Sequence, residues 1–292
     1  MPLRKAVIPA AGFGTRMLPA AKAVPKELLP VVGKPVVQYV VEECAAAGAG
    51  QVVLVTSRDK PALEAHFHHH DKLEARLRKA GKADLLAGLD ALIDRVTVTP
   101  AYQDEALGLG HAVLQAERAV GDEPFLCLLG DTIFSGGDAL PAVQLARAYD
   151  RYGTAVIGLE LVPEDRVSRY GIVGGTAVEP GVLRLDTLVE KPDPAAAPSR
   201  YAVAARYVLT PGVFAALRDT PPGKGGEVQL TDALRILLAR EPIHGVVLTA
   251  RRHDIGNPVD WLRTNLVLAA RDDRLWAELR PTVERLLQAR DV

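Results

Sequence analysis

The feature that most constrains the fold is the alternation of short apolar runs with segments in which apolar residues recur at helical spacing. Ala6–Ile8, Val52–Val55 and Phe125–Leu129 are apolar runs of strand length. Between the first two, apolar residues recur every three or four positions from Val36 to Cys44, and Gly48 supplies a helix stop. Buried strands that are joined through a helix pair in parallel. The sequence therefore predicts an α/β fold in which helices cover both faces of a sheet.

The same alternation continues to residue 153 and then gives way to a strand-rich pattern. Before that point the spacing also predicts helices over 61–67, within 73–92 and over 111–120, and a strand over 96–99. Beyond it, the predicted strands are 155–161, 171–174, 182–190 and 203–209, and the predicted helices are 229–239, 259–270 and 275–287. We expect one domain with a doubly wound, Rossmann-like mixed sheet that is mostly parallel and flanked by helices.

Composition disfavours several classes of protein. A net charge of -1 and a pI of about 6.7 leave no broad positive surface for nucleic acid. The first residues lead into only a short apolar stretch, which fits neither a signal peptide nor a membrane-spanning helix. Cys44 and Cys127 have neither the number nor the spacing of a disulfide framework or a metal site. We expect a soluble, cytoplasmic protein that binds no nucleic acid and no membrane.

A glycine-rich segment, Ala10-Ala11-Gly12-Phe13-Gly14-Thr15-Arg16, follows the first predicted strand. Its glycines let backbone N–H groups approach a phosphate closely, so the segment suits an anion. It lacks the Gly-Lys-Ser/Thr of a P-loop, and Met17 replaces the third glycine of a dinucleotide fingerprint. The glycines alone fit a tight strand-to-helix turn equally well, whereas Arg16 and Lys26 favour a phosphate site.

The glycine-rich segment belongs to a longer ordered pattern along the chain. Its blocks are 10–19, 22–30, 108–113, 130–131, 170–173, 190–192, 229–232 and 254–257. The ordered set resembles the sugar-1-phosphate nucleotidyltransferases, and the second and third blocks resemble their uridylyl-transferring members. This resemblance spans essentially the whole chain. It implies that UTP and α-D-glucose 1-phosphate give UDP-glucose and pyrophosphate by in-line attack on the α-phosphorus, with Mg²⁺ as cofactor and a homodimer or homotetramer as the assembly.

The resemblance also implies a role for individual residues. Residues 1–153 would form a nucleotide-binding half, 154–257 a sugar-phosphate-binding half, and 258–292 helices that can contact another subunit. Arg16 would bind the β- and γ-phosphates and Lys26 the α-phosphate. The other nucleotide-binding positions would be Ala11, Gly12, Gly14, Thr15, Gln103 and Gly108. The sugar phosphate would contact Gly171, Glu190 and Lys191, and Mg²⁺ would contact Asp131 and Asp254.

Residue chemistry alone leaves alternatives open at some of these positions. A carboxylate directly after an apolar strand, as at Asp131, favours a charged partner or a metal. Asp254 could instead cap the helix that begins near Pro258. Glu190 and Lys191 could form an ordinary exposed strand end. The Gln103 amide both donates and accepts, which suits the imide edge of a pyrimidine.

Other segments depart from the family pattern or suggest a different site. Residues 104–107, Asp-Glu-Ala-Leu, stand where uridylyltransferases usually show glycine and a basic residue, which leaves a thymidylyl or other pyrimidine-specific enzyme as an alternative. A non-catalytic nucleotide-sugar-binding protein is a second alternative. His66 and His68–His70 suggest zinc, but consecutive histidines converge poorly on one ion, so we favour an exposed helix end. We expect His111 to be structural and His253 to support Asp254.

Overall fold

The computed structural model describes residues 2–289. Met1 and residues 290–292 are the two ends of the predicted 1–292 domain and lie outside the described residues. The strands are β1 (Lys5–Pro9), β2 (Pro30–Val31), β3 (Lys34–Pro35), β4 (Gln51–Thr56), β5 (Thr97–Tyr102), β6 (Phe125–Leu128), β7 (Thr132–Ser135), β8 (Ala155–Leu161), β9 (Gly171–Glu179), β10 (Val182–Glu190), β11 (Tyr201–Leu209), β12 (Ile243–Val247) and β13 (Arg251–Asp254). The α-helices are α1 (Val36–Ala46), α2 (Pro61–Ala65), α3 (Asp71–Lys79), α4 (Ala87–Arg95), α5 (Leu109–Leu114), α6 (Glu117–Val120), α7 (Pro141–Tyr152), α8 (Gly212–Asp219), α9 (Leu230–Leu238), α10 (Pro258–Ala269) and α11 (Asp273–Gln288).

Four helical regions differ from the sequence prediction, and one of them, α8, lies where no helix was predicted. The segment predicted within 73–92 is divided into α3 and α4, with Gly81 in the left-handed region (φ 66°) after α3. The predicted helix 111–120 is two short helices, α5 and α6. Helix α7 was not predicted, although Pro141 lies at its first turn and Gly153, with φ 66°, ends it. A proline at the start and a glycine just past the end are recognised signals of a helix.

Nine strands form one mixed sheet in the order β5-β4-β1-β6-β11-β8-β12-β10-β9. The strands β5, β4, β1 and β6 pair in parallel, as does β8 with β12. Strand β11 is antiparallel to both β6 and β8, and β10 is antiparallel to both β12 and β9. The predicted mixed α/β sheet is confirmed, but it is mostly parallel only in the 1–153 half, because four pairings of the sheet are parallel and five are antiparallel.

The sheet is buried on both faces because successive side chains of a strand point to opposite sides. In β1, Ala6 and Ile8 join the apolar cluster that contains α1 and α7, whereas Val7 joins the cluster that contains α8 and α9. Most of the core side chains of α1 and α9 are completely buried. Helices therefore cover the sheet from both sides, as the doubly wound prediction requires.

Two small sheets and the last helices lie outside the nine-stranded sheet. Strand β13 pairs with β7, and β2 pairs with β3. Helix α10 packs on β2, where the Trp261 indole Nε1 donates to Pro30 O at 3.0 Å. The outer faces of α10 and α11 expose the apolar side chains of Val259, Leu262, Leu266, Leu279, Leu286 and Leu287. Within residues 2–289, no helix has the length and apolar character needed to cross a membrane.

Candidate active site

A cavity of about 410 Å³ opens beyond the carboxyl ends of β1 and β6. The strands deliver to it the glycine-rich segment and the turn that carries Asp131. Seven of the sequence-predicted residues line this cavity: Ala11, Gly12, Arg16, Lys26, Gln103, Gly108 and Asp131. Gly14 and Thr15 belong to the next turn, outside that lining. Gly14 has φ 66° and packs against Lys26, since a Cβ added there would lie 3.3 Å from Lys26 Cδ.

Gln103 is fixed by its neighbours directly after β5. Its side chain is buried, and Nε2 donates to Gly108 O at 3.1 Å and to His111 Nδ1 at 2.9 Å. Gly108 adopts φ 98°, and a Cβ there would lie 2.8 Å from Val228 O. The loop therefore needs glycine at this position. His111 orients Gln103, which is the structural role predicted for this histidine.

The two acidic residues of the atypical loop 104–107 are outside the lining of the cavity. The Asp104 carboxylate faces Arg58, with Oδ1 at 3.4 Å from the guanidinium Nε, and both side chains are largely exposed. Val228 N donates to Leu107 O at 2.8 Å and ties the loop to the 227–228 segment. Among the four loop residues only Ala106 lines the cavity. The departure from the family pattern thus adds neither of the loop's two carboxylates to the cavity lining.

Lys26 and Asp131 form an ion pair in the cavity, with Lys26 Nζ at 2.5 Å from Asp131 Oδ2. Burial alone would lower the pKa of Lys26, but Asp131 and Glu27 outweigh it and raise this pKa above its usual value. Burial alone would raise the pKa of Asp131, but Lys26 and Arg16 outweigh it and lower this pKa. Both groups are therefore charged at neutral pH and offer one site for an anion and one for a cation.

A second cavity, of about 940 Å³, adjoins the first, and Arg16 lines both. Of the sequence-predicted residues, Arg16, Lys191 and Asp254 line it. Its other basic side chains are Arg166, Arg169, Arg251, Arg252 and Arg263. Such a lining favours a substrate that carries a phosphate.

The predicted sugar-side residues meet where β9 and β10 pair. Gly171 lies opposite Glu190 in the antiparallel ladder, and a Cβ added to Gly171 would lie 3.3 Å from Glu190 Oε2. Lys191 follows with φ 45°, and its Nζ lies 3.1 Å from Glu190 Oε1. A left-handed backbone conformation costs a non-glycine residue such as lysine about 1–3 kcal/mol, and residues in such conformations cluster at functional sites. Gly171 and Glu190 border Lys191 but lie outside the lining of the larger cavity.

Asp254 is brought beside the Asp131 turn by the pairing of β13 with β7. In this ladder Asp254 lies opposite Thr132, and Ile255 N donates to Asp131 O at 3.1 Å. Asp254 Oδ1 accepts from Gly256 N at 2.7 Å. The alternative in which Asp254 caps α10 is wrong, because Asn257 is the cap and accepts from the amide of the third helical residue at 3.0 Å.

His253 does not support Asp254 as predicted. Its Nε2 lies 2.6 Å from Ser135 Oγ, on the neighbouring strand β7. Successive residues of a strand point to opposite faces, so a side chain adjacent in sequence to Asp254 faces away from it. Burial, together with two nearby arginines, lowers the pKa of His253 to about 4. The imidazole is therefore neutral at neutral pH.

Comparison with known proteins identifies the family. Residues 5–271 match the family model described as nucleotidyl transferase. The chain belongs to this nucleotidyltransferase family. It is 43% identical to a UTP–glucose-1-phosphate uridylyltransferase of Bacillus subtilis, over 98% of this chain and 96% of that one. It is 39% identical to one from Staphylococcus epidermidis, over 97% and 98%. The structure of a UTP-bound UGPase from Acinetobacter baumannii matches with a TM-score of 0.90 at 35% identity, over 97% and 99%. These matches confirm the family resemblance.

A buried lysine–glutamate pair that was not predicted from the sequence lies beside the glycine-rich segment of this nucleotidyltransferase. Lys60, at the start of α2, places Nζ at 3.2 Å from Glu27 Oε2. Burial raises the pKa of Glu27, against the opposing effect of Lys60 and Lys26. Burial also lowers the pKa of Lys60. A lysine in an otherwise polar loop gave no signal that it would be buried.

A second missed pair, Arg206 and Glu43, lies beneath the Asp131 turn. Arg206 Nε donates to Glu43 Oε1 at 3.0 Å, and Nη2 donates to Oε2 at 2.8 Å. The same guanidinium donates to the carbonyl oxygens of Leu129 at 3.4 Å and Thr132 at 2.7 Å. These two residues bracket Asp131, so the pair braces the turn that presents its carboxylate.

The histidine-rich segment does not form a site of converging histidines. His66 Nε2 contacts Gln38, and His70 caps α3. His69 lies between carboxylates, with Nδ1 at 3.1 Å from Glu74 and Nε2 at 3.2 Å from Asp94. His68–His70 are exposed next to the start of α3, which agrees with the predicted helix end, although the ligand atoms of His69, Glu74 and Asp90 lie within 4.8 Å of one another.

Proposed function

We propose that this chain is a UTP–glucose-1-phosphate uridylyltransferase that produces UDP-glucose and pyrophosphate. The observation that carries the proposal is the pair of adjoining cavities that share Arg16. One cavity has the glycine-rich segment and Gln103, and the other has Lys191 among several arginines. A nucleotide and a sugar phosphate that occupy these cavities meet at Arg16, as a two-substrate condensation requires. The uridylyl specificity of the matched relatives supports UTP over a thymidine nucleotide.

In the proposed reaction the protein positions the two substrates and neutralises their phosphate charge, and it supplies no covalent nucleophile. Arg16, between the two cavities, binds the β- and γ-phosphates that leave as pyrophosphate. Lys26 faces the α-phosphate, where charge builds up as the sugar phosphate oxygen attacks in line. Lys191 holds the attacking phosphate, with Glu190 and Gly171 on the sugar hydroxyls. Gln103 reads the imide edge of uracil, and Gly108 and Ala11 approach the ribose and base with their backbone.

Asp131 and Asp254 are the residues that we assign to Mg²⁺. Their chemistry fits this cation, because carboxylate oxygens are the protein ligands that Mg²⁺ accepts. Each carboxylate has one oxygen engaged by a strong donor, Lys26 in the first case and Gly256 N in the second. Asp254 ends β13 and Asp131 directly precedes β7, and the pairing of these two strands holds both acids at one edge of the site. When bound there, Mg²⁺ would neutralise phosphate charge.

We further propose a cytoplasmic homo-oligomer. The buried, free thiols of Cys44 and Cys127 suit a reducing compartment. On α10, the exposed Val259, Leu262 and Leu266 recur at helical spacing and suit an interface between copies. Light scattering coupled to gel filtration tests this assignment. A monomer at micromolar concentration contradicts it, and Leu262→Glu should shift a dimer or tetramer towards monomer.

The test of the proposed function is pyrophosphate release with UTP, glucose 1-phosphate and Mg²⁺. A panel of UTP, dTTP, CTP, ATP and GTP against several sugar 1-phosphates should give the highest kcat/KM for UTP with glucose 1-phosphate. Asp131→Asn should abolish turnover, whereas Asp122→Asn, an exposed acid before β6, should leave it unchanged. Saturable UDP-glucose binding without turnover would support the non-catalytic alternative instead.

A further inference from the structure

Lys60 anchors the backbone of the glycine-rich segment without lining the nucleotide cavity. Its Nζ donates to Ala10 O at 2.7 Å, to Gly12 O at 2.6 Å and to Glu27 Oε2 at 3.2 Å. An ammonium group has three donors, and these contacts use all three. The residue is 9% exposed. Lys60 is therefore committed to the protein and has no donor left for a substrate.

The direction of the two carbonyl groups fixes the direction of the amides that follow them. In a trans peptide the C=O and the next N–H point to opposite sides. Because Ala10 O and Gly12 O both point at Lys60, the N–H groups of Ala11 and Phe13 point away from it. Neither amide donates a hydrogen bond to another described residue. Unpaired backbone N–H groups of this kind bind phosphate oxygens.

Glu27 connects this anchor to the reacting end of the site. Its carboxylate is 1% exposed and accepts from Lys60. The preceding residue, Lys26, pairs with Asp131. A buried charge without its partner is strongly unfavourable, so the buried Lys60 and Glu27 keep each other in place, and the partly buried Lys26 and Asp131 do so to a smaller degree. The short turn Lys26–Leu28 thus couples the glycine-rich segment to the group assigned to the α-phosphate.

We propose that Lys60 is a positioning residue that holds the glycine-rich segment with its N–H groups presented to the triphosphate. This inference rests on the proposed function, since it takes UTP as the ligand of that segment. It assigns Lys60 to nucleotide affinity and not to the sugar phosphate, because the anchored residues Ala10 and Gly12 line the first cavity and are absent from the lining of the second.

The experiment compares Lys60→Met with wild type by steady-state kinetics and by calorimetric titration of UTP with Mg²⁺. The KM and the Kd for UTP should rise at least about tenfold, while the KM for glucose 1-phosphate stays within about twofold. Lys72→Met, an exposed lysine of α3, is the matched control and should match wild type. Circular dichroism and thermal melting establish that each variant is folded.

A second variant protects the test against misfolding. Lys60→Met leaves Glu27 buried without its partner, so Lys60→Met/Glu27→Gln removes both charges and retains an acceptor-bearing side chain. The inference predicts weak UTP binding in this folded double variant as well. Unchanged UTP affinity, or equal losses for UTP and glucose 1-phosphate, would overturn it. Failure of wild type to release pyrophosphate would instead refute the proposed reaction, and UTP titration would still test the anchor.

Discussion

Arg206→Met tests the buried pair beneath the Asp131 turn. The arginine is completely buried, and Glu43 is nearly so. Methionine fills a similar space but removes every donor. The carboxylate of Glu43 would keep only the amide of Ala142, which donates to it at 2.9 Å. The carbonyl oxygens of Leu129 and Thr132 would each lose a charged donor.

The expected loss in the free energy of unfolding is about 3–5 kcal/mol, the typical cost of breaking a buried ion pair from one side. Arg206→Met/Glu43→Gln should recover part of it, because glutamine removes the unpaired charge and still accepts from Ala142 N. We expect a coupling energy between the two sites of about 2–3 kcal/mol. The turn that carries Asp131 remains unbraced in the double variant. Its kcat should therefore stay well below that of wild type even though it is folded.

Urea denaturation at neutral pH, followed by far-ultraviolet circular dichroism, gives the four free energies of this double-mutant cycle. The matched control is Arg218→Met, which breaks the exposed pair with Glu117 and should cost less than about 1 kcal/mol. A loss of less than about 1 kcal/mol for Arg206→Met, or additive single effects, would refute the argument from burial. A folded double variant with wild-type kcat would refute the proposed link to Asp131.

Three further predictions concern single residues. Gly108→Ala should raise the KM for UTP and lower stability by about 1–3 kcal/mol, since φ is 98° and the new Cβ would lie 2.8 Å from Val228 O; an unchanged KM and melting temperature would contradict this. Lys26→Met should lower kcat by about 10²–10³-fold but weaken UDP-glucose binding much less, and equal losses would count against its role at the α-phosphate. The pKa of His253 is lowered to about 4 in the folded state. The neutral imidazole therefore contributes to the free energy of unfolding above pH 6.5, and this contribution is lost as the pH falls towards 4. Urea titrations in EDTA should show that, between pH 6.5 and pH 4, the free energy of unfolding of wild type falls by up to about 3 kcal/mol more than that of His253→Gln. Parallel pH profiles of the two proteins would contradict this prediction.

The parallel half of the fold was predictable because its strands are apolar on both faces. The runs at Ala6–Ile8 and Val52–Val55 became β1 and β4 with small changes at their ends. Parallel strands that are buried on both faces give an almost continuous apolar signal. Strand β13 carries Arg-Arg-His-Asp and has no such signal. It forms because it pairs with β7, which is why its position next to Asp131 required the structure.

The residues that support the site were not predictable because their partners are distant in sequence. Lys60 bonds to carbonyl groups 48 and 50 positions away, and Arg206 pairs with a glutamate 163 positions away. Neither contact leaves a local pattern of spacing or composition. The residues expected to touch the substrates lie in short ordered blocks, so a family resemblance could suggest them. The groups that orient those residues are visible only when the chain is folded.

The Lys26–Asp131 pair implies that UTP and the metal bind cooperatively. Lys26 leaves Asp131 for a phosphate more readily when another cation pairs with this carboxylate, because the two side chains are only 15% and 20% exposed and an unpaired charge there is poorly solvated. The Kd for UTP should therefore be at least about tenfold higher in EDTA than with Mg²⁺. In Lys26→Met/Asp131→Asn the pair is neutral, so this dependence should shrink. Calorimetric titration of both proteins measures it, and a UTP affinity of wild type that is the same with and without Mg²⁺ would show that the pair does not control binding.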